Sequence, residues 1–280
     1  MVALISDIHG NIHALDAVLA DMPKEVDEVW VLGDMVGGLP FNNEVVEKIA
    51  NLPKVSAILG NWEENILAAL KDPKPWQSRQ YATGIWTFEH LKPENLEFIK
   101  KLPSMLSFGD TLLYHGSPES ATGTILSYED ATNTIAKAEE TKKFLFGGHT
   151  HKSRLYKVGD VQLVGVGSVG LSFDEIVGVA CYALFDGKTI AFRHVPYDME
   201  TALAQFRKSD LWEFSPYFSK SFAATMLTGK NYTMGFDNFV GLLPFAHNYA
   251  KEHSKDSNNE LWEEGAKMWK IDDWLEELLK

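Results

Sequence analysis

Five short segments within the first 151 residues carry side chains that can bind metal ions. They read DIH at 7–9, GD at 33–34, GN at 60–61, YHG at 114–116 and GHTH at 148–151. Seven of their side chains offer a carboxylate, an imidazole or an amide oxygen: Asp7, His9, Asp34, Asn61, His115, His149 and His151. A mixed set of nitrogen and oxygen ligands suits divalent metals, and seven ligands are enough for two ions. The segments therefore predict a dinuclear metal site of a hydrolase.

The residue types also indicate what such a site would do. Asp7 and His9 stand two positions apart, so both can face one cation. Asp34 follows a glycine, and a carboxylate with two oxygens is suited to bridge two cations about 3.5–4 Å apart. Two cations that share a water lower its pKa, so we expect a metal-bridging hydroxide as the nucleophile. The ligand set favours Mn²⁺, with Fe²⁺ and Zn²⁺ open, over Mg²⁺, which prefers oxygen ligands.

Apolar runs that precede these segments predict the strands that position them. The predicted strands are 2–5, 29–32, 55–59, 105–108, 112–115 and 144–146. Helical apolar spacing predicts helices at 12–19, 44–52, 63–70 and 128–139. Alternation of strand and helix indicates right-handed βαβ units and a largely parallel sheet. The active-site loops of such a sheet follow the carboxyl ends of its strands, which is where the five segments stand.

Beyond His151 the pattern changes to consecutive strands. Apolar runs at 154–158, 161–166, 179–185 and 189–195 are separated by Gly-Asp and Asp-Gly turns, which is typical of antiparallel hairpins. Parallel units followed by hairpins predict an α/β protein in which two mixed sheets pack face to face with helices outside.

After Pro196 no strand is predicted. An amphipathic pattern at 199–207 and an acidic, tryptophan-containing stretch at 260–280 predict helices. We expect one domain over 1–197 and a helical C-terminal extension over 198–280 that packs on it. The alternative is an extension that binds a partner or forms the interface of a homo-oligomer.

Composition excludes several classes of protein. The chain of 280 residues has a formal net charge of −13, which argues against an extended nucleic-acid surface. A small phosphorylated substrate stays open, because bound dications make one cleft locally positive. No apolar run reaches the ~20 residues that span a bilayer, and the N-terminus shows no signal-peptide pattern. With the single cysteine, Cys181, expected as a buried thiol, we predict a cytoplasmic protein without membrane contact.

The same segments resemble the five motifs of the calcineurin-like metallophosphoesterases. These are SDIHGN at 6–11, GD at 33–34, GN at 60–61, HG at 115–116 and GGHTH at 147–151. The resemblance covers about residues 1–197 and implies a four-layer αββα sandwich. It further implies that Asp7, His9 and His151 hold one metal, that Asn61, His115 and His149 hold the other, and that Asp34 bridges the two.

One position departs from the family pattern. Many members carry a histidine directly after the Asn of the third motif, where this chain has Trp62. An indole has no titratable proton, so it cannot act as a general acid. The Asn-Trp-Glu sequence and the helical extension resemble a bacterial branch related to diadenosine-tetraphosphate hydrolases and phosphodiesterases. Trp62 either packs beside the metals or stacks on a nucleobase of the substrate.

A site without that histidine favours substrates with good leaving groups. We therefore predict cleavage of phosphodiester or phosphoanhydride bonds in nucleotide-type substrates such as dinucleoside polyphosphates, with Asp34, Asn61 and His115 as catalytic residues. Backbone donors and side chains near the motifs are predicted to contact the substrate together with Trp62: Gly10, Asn11, Gly116 and Ser117. A phosphomonoesterase or a protein serine/threonine phosphatase is the alternative activity. A non-catalytic scaffold is the alternative of another class.

Overall fold

The computed structural model of the protein describes residues 1–253 and 259–279. Its strands are β1 (Val2–Ile5), β2 (Glu28–Val31), β3 (Val55–Ala57), β4 (Leu106–Phe108), β5 (Thr111–Leu113), β6 (Phe144–Gly147), β7 (Ser153–Val158), β8 (Val161–Val166), β9 (Val179–Phe185), β10 (Ile190–Pro196), β11 (Gly235–Phe236) and β12 (Phe239–Val240). Its helices are α1 (Ile12–Asp21), α2 (Asn42–Ala50), α3 (Asn61–Lys71), α4 (Ala82–His90), α5 (Pro93–Ile99), α6 (Tyr128–Lys137), α7 (Met199–Lys208), α8 (Asp210–Phe214), α9 (Pro216–Thr228), α10 (Leu242–His253), α11 (Asn259–Met268) and α12 (Ile271–Leu278). Two 3₁₀ turns, Lys74–Trp76 and Arg79–Tyr81, precede α4.

Two mixed sheets of five strands form the centre of the fold. The first has the order β10-β9-β1-β2-β3, in which β1, β2 and β3 run parallel and β9 runs antiparallel to both of its neighbours. The second has the order β4-β5-β6-β8-β7, in which β5, β6 and β8 run parallel and the two edge strands run antiparallel. The predicted change from parallel units to hairpins is confirmed.

Buried side chains from both sheets meet in one cluster, which shows that the sheets pack face to face. Leu4 and Trp30 come from the first sheet, and Leu113 and Phe146 come from the second. Burial of each such side chain contributes about 1.5–3 kcal/mol relative to exposure. Helices cover the outer faces, with the buried residues of α1 and α2 on one side and Ala131 of α6 on the other. The predicted αββα sandwich is confirmed.

The parallel strands bring the five segments to one edge of the fold. β1, β2 and β3 end at Ile5, Val31 and Ala57, and the segments at 7–9, 33–34 and 60–61 follow them directly. The remaining two segments follow β5 and β6 of the second sheet in the same way. Because the carboxyl ends of parallel strands share one edge, ligands distant in sequence become neighbours.

The C-terminal part of the chain contains the predicted helices and also a short hairpin, β11–β12. The prediction of no strand after Pro196 is therefore wrong. Each strand of the hairpin has two residues, too few to show an alternation of polar and apolar side chains. Asp237 turns the chain with a left-handed φ of 48°, and Phe236 stacks on Phe239 with 4.7 Å between ring centroids.

The extension packs on the rest of the chain through a second apolar cluster. Leu39 and Trp86 of the sandwich lie in the same buried cluster as Phe206, Phe218 and Trp262 of the extension. A division of the chain at residue 197 stays a prediction. In the part of the chain that the structure describes, no helix is long and apolar enough to span a membrane.

Candidate metal centre

The structure gathers all seven predicted ligands at the shared edge of the sheets. They form two groups, Asp7 with His9 and His151, and Asp34 with His115 and His149, in each of which the ligand atoms lie within 4.8 Å of one another. The amide oxygen of Asn61 lies 2.8 Å from His149 Nδ1 and 3.1 Å from His115 Nε2, so it joins the second group. This grouping is the one that the family resemblance implies.

The carboxylates of Asp34 and Asp7 lie between the two groups. Asp34 Oδ2 is 3.3 Å from His115 Nε2 and 3.7 Å from His9 Nε2. Asp7 Oδ1 is 3.3 Å from His151 Nε2 and 3.9 Å from His115 Nε2. Asp34 thus has a side chain of each group within reach, as a bridging carboxylate requires.

Backbone strain is concentrated in these loops. Eight described residues other than glycine have a positive φ, and five of them are predicted ligands: Asp7, His9, Asp34, His149 and His151, at φ between 51° and 64°. A left-handed conformation costs a residue with a side chain about 1–2 kcal/mol. Such strain persists only where surrounding structure enforces it, and it is typical of functional sites.

The donor chemistry of the cluster fits a bound cation. His115 Nδ1 lies 2.6 Å from the carbonyl oxygen of Leu32, and His151 Nδ1 lies 2.6 Å from that of Leu171. Because a carbonyl oxygen only accepts, each Nδ1 donates a hydrogen and each Nε2 faces the centre of the cluster. The Nε2 of His115 lies beside the oxygens of Asn61 and Asp34, which are acceptors. A proton on Nε2 satisfies these acceptors when no metal is bound, and a cation that binds replaces that proton with its own positive charge.

The pKa values of the cluster follow from burial and from these close charges. Burial raises the pKa of Asp7, but the neighbouring imidazoles outweigh burial and hold it below its ordinary value. Burial lowers the pKa of His115, but the charges of Asp34 and Asp7 raise it to about 10. Burial and the nearby His151 lower the pKa of His9 to about 4. The carboxylates thus stay ionised and attract positive charge to the centre of the cluster.

Backbone donors fix the two carboxylates in place. The backbone N–H of His149 donates to both oxygens of Asp7, at 3.1 and 3.0 Å, and that of Trp62 donates to Asp34 Oδ1 at 2.9 Å. Gly60 lets the third loop approach, because a Cβ there would lie 2.2 Å from Asp34 Oδ1. These contacts therefore fix the positions of four loops relative to one another, those of the segments at 7–9, 33–34, 60–61 and 148–151.

Glu63 is a residue of the site that the sequence analysis missed. It is fully buried, and its carboxylate accepts four backbone N–H groups: Asp34 and Gly60 at 2.8 Å on Oε2, and Met35 and Val36 at 2.8 and 3.2 Å on Oε1. Burial and the charge of Asp34 raise the pKa of Glu63 to about 7. A glutamate three positions after the residue that precedes a helix, here Gly60, is a known capping position, which was the available signal.

The four other predicted substrate contacts make contacts within the protein. Asn11 caps the N-terminus of α1. Its Oδ1 accepts a hydrogen bond from Ala14 N at 3.1 Å, and its Nδ2 donates to Gly170 O at 3.0 Å. The hydroxyl of Ser117 accepts from backbone N–H groups of its own turn. With Gly10 and Gly116, these residues lie outside the lining of the cavity described next. Their role in substrate binding stays a prediction.

A cavity of about 540 Å³ opens beside the cluster. His9, Asp34 and His149 line one end of it, and half-buried Trp62 lines it next to them. The indole of Trp62 meets the His9 ring edge-on, with 6.0 Å between centroids. Trp62 therefore packs beside the cluster and also presents its surface to the cavity.

The single cysteine lies in a separate polar cluster. Cys181 is buried as predicted, with its Sγ 3.4 Å from Asp174 Oδ2, and His194 Nε2 lies 3.3 Å from the same oxygen. Burial raises the pKa of the Cys181 thiol to about 12, so the thiol stays protonated.

Comparisons with known proteins identify the fold and its family. Residues 1–189 match the calcineurin-like phosphoesterase superfamily domain. An uncharacterized protein of Methanocaldococcus jannaschii is 30% identical over 237 residues, which cover 76% of this chain and 95% of that protein. The crystal structure of a metallophosphoesterase from Sphaerobacter thermophilus matches with a TM-score of 0.68 and 27% identity, over 81% of this chain and 99% of that one. A hypothetical protein from Pyrococcus horikoshii shares the fold, with a TM-score of 0.67 and 22% identity over 79% and 98% of the two chains.

Proposed function

The chain belongs to the calcineurin-like phosphoesterase superfamily, and on this premise we propose that it is a two-metal hydrolase of phosphodiester or phosphoanhydride bonds. One observation carries the proposal. Seven ligands from five distant loops converge at one edge of the sandwich, and five of them keep a strained backbone. A non-catalytic scaffold has no need of this strain.

The two groups differ in the ligands that they offer. Asp7, His9 and His151 would hold one ion; Asn61, His115 and His149 would hold the other, with Asp34 shared between them. When bound, two divalent cations supply an activated water and neutralise the charge that grows on the phosphate oxygens. The mixed nitrogen and oxygen set supports Mn²⁺ over Mg²⁺.

The chain itself keeps the two sides of the site at a fixed spacing. Glu63 ties the loop of Asp34 to the start of α3, from which Asn61 projects. The carbonyl oxygens of Leu32 and Leu171 hold the rings of His115 and His151. Fixed ligands of this kind avoid reorganisation during the reaction, which is the main way in which a protein lowers such a barrier.

The presence of Trp62 supports a preference of the site for phosphodiesters and phosphoanhydrides over alkyl phosphomonoesters. Its backbone N–H positions Asp34, but its side chain has no titratable proton for a leaving group. A leaving group that is stable as an anion departs without such a proton. The nucleotide class of substrate, a homo-oligomeric state and a cytoplasmic location stay predictions.

Hydrolysis of bis-p-nitrophenyl phosphate tests the proposal. We expect turnover with Mn²⁺, and a loss of at least about 100-fold in His115→Ala, because this ring positions the charge at the reacting phosphate. His90→Ala is the matched control, since His90 is exposed and lies outside the cluster. Equal rates in the two variants, or no turnover by the parent chain with any divalent metal, would overturn the proposal.

A further inference from the structure

The cavity beside the metal centre extends far beyond the reacting phosphate. From the cluster it runs between α3 and α4 on one side and α9 and α10 on the other. Its volume of about 540 Å³ falls within the usual range of small-molecule sites, about 300–1,000 Å³. The sandwich and the extension thus enclose a space that is continuous with the site of the proposed reaction.

In the part of the chain that the structure describes, the lining of this cavity carries no lysine or arginine that could pair with additional phosphates. Among the described residues that line it, none is a lysine or an arginine, and Glu89 adds a negative charge away from the metal end. A polyphosphate chain brings several negative charges, and each must find a cation or hydrogen-bond donors when it leaves water. Bound metals would serve the phosphate that reacts, but the described lining away from them offers no lysine or arginine for further phosphates.

Three hydrogen-bonded pairs already engage some of the polar side chains in the lining. Thr83 Oγ1 lies 2.8 Å from Ser215 Oγ, and His247 Nε2 lies 2.8 Å from Gln80 Oε1. Thr233 Oγ1 lies 3.1 Å from a serine hydroxyl of α9. A ligand that needed these groups would have to break existing hydrogen bonds, and an unmade hydrogen bond costs about 1–3 kcal/mol.

Apolar side chains supply much of the remaining lining. Six of them come from both sides of the cavity: Ile66, Trp76, Ile85, Phe88, Phe218 and Phe222. With Trp62 they form a continuous apolar surface that begins at the cluster. Such a surface gains free energy by excluding water when an apolar group covers it.

We infer that the substrate is an ester of a single phosphate that carries a large, uncharged, apolar organic group, which occupies this cavity. The inference rests on the proposed function, because the phosphate of the ester must lie at the two metals. It narrows the predicted substrate class: dinucleoside polyphosphates suit the proposed metal centre but not the described lining, which lacks lysine and arginine. Aryl groups and long alkyl chains are both large, uncharged and apolar, so either could be the group that occupies the cavity.

A series of p-nitrophenyl phosphodiesters tests the inference, because every member releases the same p-nitrophenolate. The group retained on the phosphate is methyl, 1-naphthyl, decyl or 5′-thymidinyl. Each buried methylene raises kcat/KM by about fourfold, so we expect the naphthyl or decyl ester to exceed the methyl ester by at least about tenfold. If the naphthyl ester has the higher kcat/KM, the substrate group is aromatic; if the decyl ester has it, the group is an alkyl chain. Equal values for methyl, naphthyl and decyl, or a clear preference for the thymidinyl ester or for diadenosine tetraphosphate, would overturn the inference.

A binding measurement separates this inference from the proposed reaction. Phosphonic acids have no ester bond to hydrolyse, so 1-naphthylmethylphosphonic acid and methylphosphonic acid can be titrated into the Mn²⁺-loaded protein. Isothermal titration calorimetry measures the binding of both compounds. Tighter binding of the naphthyl compound without any ester hydrolysis would refute the proposed function and keep the apolar site. Hydrolysis without any preference for the larger group would keep the function and refute the apolar site.

A pair of methionine variants locates the effect in the cavity. Met234 lines it and is 58% exposed, whereas Met268 is 54% exposed and lies outside the lining. We expect Met234→Ser to lower the naphthyl-to-methyl ratio of kcat/KM by about threefold or more, in line with the loss of buried apolar area. Met268→Ser should leave the ratio unchanged. An unchanged ratio in Met234→Ser and in Ile85→Ser, with both variants folded, would place the preference elsewhere and contradict the inference.

Discussion

Glu63 should stabilise the fold more than any exposed acidic residue, because four backbone donors depend on it. The donors of Asp34 and Gly60 share one carboxylate oxygen, and those of Met35 and Val36 share the other. Glu63→Gln keeps the size of the side chain but replaces one oxygen by an NH₂ group. Each carboxylate oxygen accepts from two backbone N–H groups. In either orientation of the amide, its NH₂ group therefore faces two N–H donors that it cannot accept from.

The structure sets the magnitude of this effect. Two buried N–H groups lose their acceptor, and each such loss costs about 1–3 kcal/mol. Glu63→Gln should therefore lower the free energy of unfolding by about 2–6 kcal/mol, a large part of the ~5–15 kcal/mol typical of a folded domain. Because the same donors hold the loop of Asp34, the variant should also bind metal more weakly.

Urea denaturation of the metal-loaded protein measures the first effect. The pKa of Glu63 is raised to about 7, so above that pH the fold holds the ionised carboxylate at a cost that Glu63→Gln removes. All variants are therefore compared at one pH, and the loss is expected near the lower end of the stated range. Glu64→Gln is the matched control: it stands next to Glu63 in the first turn of α3, but its side chain is exposed. Its effect should stay within about 0.5 kcal/mol. An equally small effect of Glu63→Gln would refute the reasoning.

Three further changes have expected outcomes. Trp62→His should raise the ratio of monoesterase to diesterase activity, because it adds a proton donor beside the metals; an unchanged ratio would count against that role. Gly37→Ala should lower the free energy of unfolding by about 2–4 kcal/mol in a thermal or urea titration, because Gly37 has a φ of +80° and a Cβ would lie 2.2 Å from the Trp62 ring. Hydrogen bonds from Arg193 and Tyr182 hold the pKa of Asp21 below its ordinary 3.8, so their stabilisation is present above that value and is lost as the pH falls through the folded-state pKa. Asp21→Asn should therefore flatten the acid limb of the stability curve, and an identical acid limb in both proteins would contradict this.

The predicted ligands could be found from the sequence because each stands in a short loop directly after a strand. A strand of β-branched and apolar residues followed by Asp, His or Asn is a local pattern, and parallel strands place such loops at one edge. The order of strands in the two sheets, in contrast, depends on which surfaces meet in the folded chain. The β11–β12 hairpin was not predicted, because strands of two residues are too short to show a periodic sequence pattern.

The role of Glu63 and the character of the cavity required the folded structure. Glu63 is local to Gly60 in sequence, but its bonds to residues 34–36 appear only when β2 lies beside β3. The cavity wall combines residues of α4 with residues of α9 that are more than a hundred positions away in the chain. No local pattern in the sequence encodes that meeting. The nucleotide-type substrate predicted from the sequence stays a prediction, and the apolar substrate group is inferred from the folded lining.

The number of metal ions bound per chain tests the central claim most directly. After incubation with Mn²⁺ and removal of the free metal, elemental analysis should find two ions per chain in the parent protein. Asp34→Asn should hold clearly fewer, because this carboxylate is proposed to bind both ions, and His151→Ala should weaken mainly one. A parent protein that binds at most one ion, or an Asp34→Asn variant that still holds two, would contradict the account.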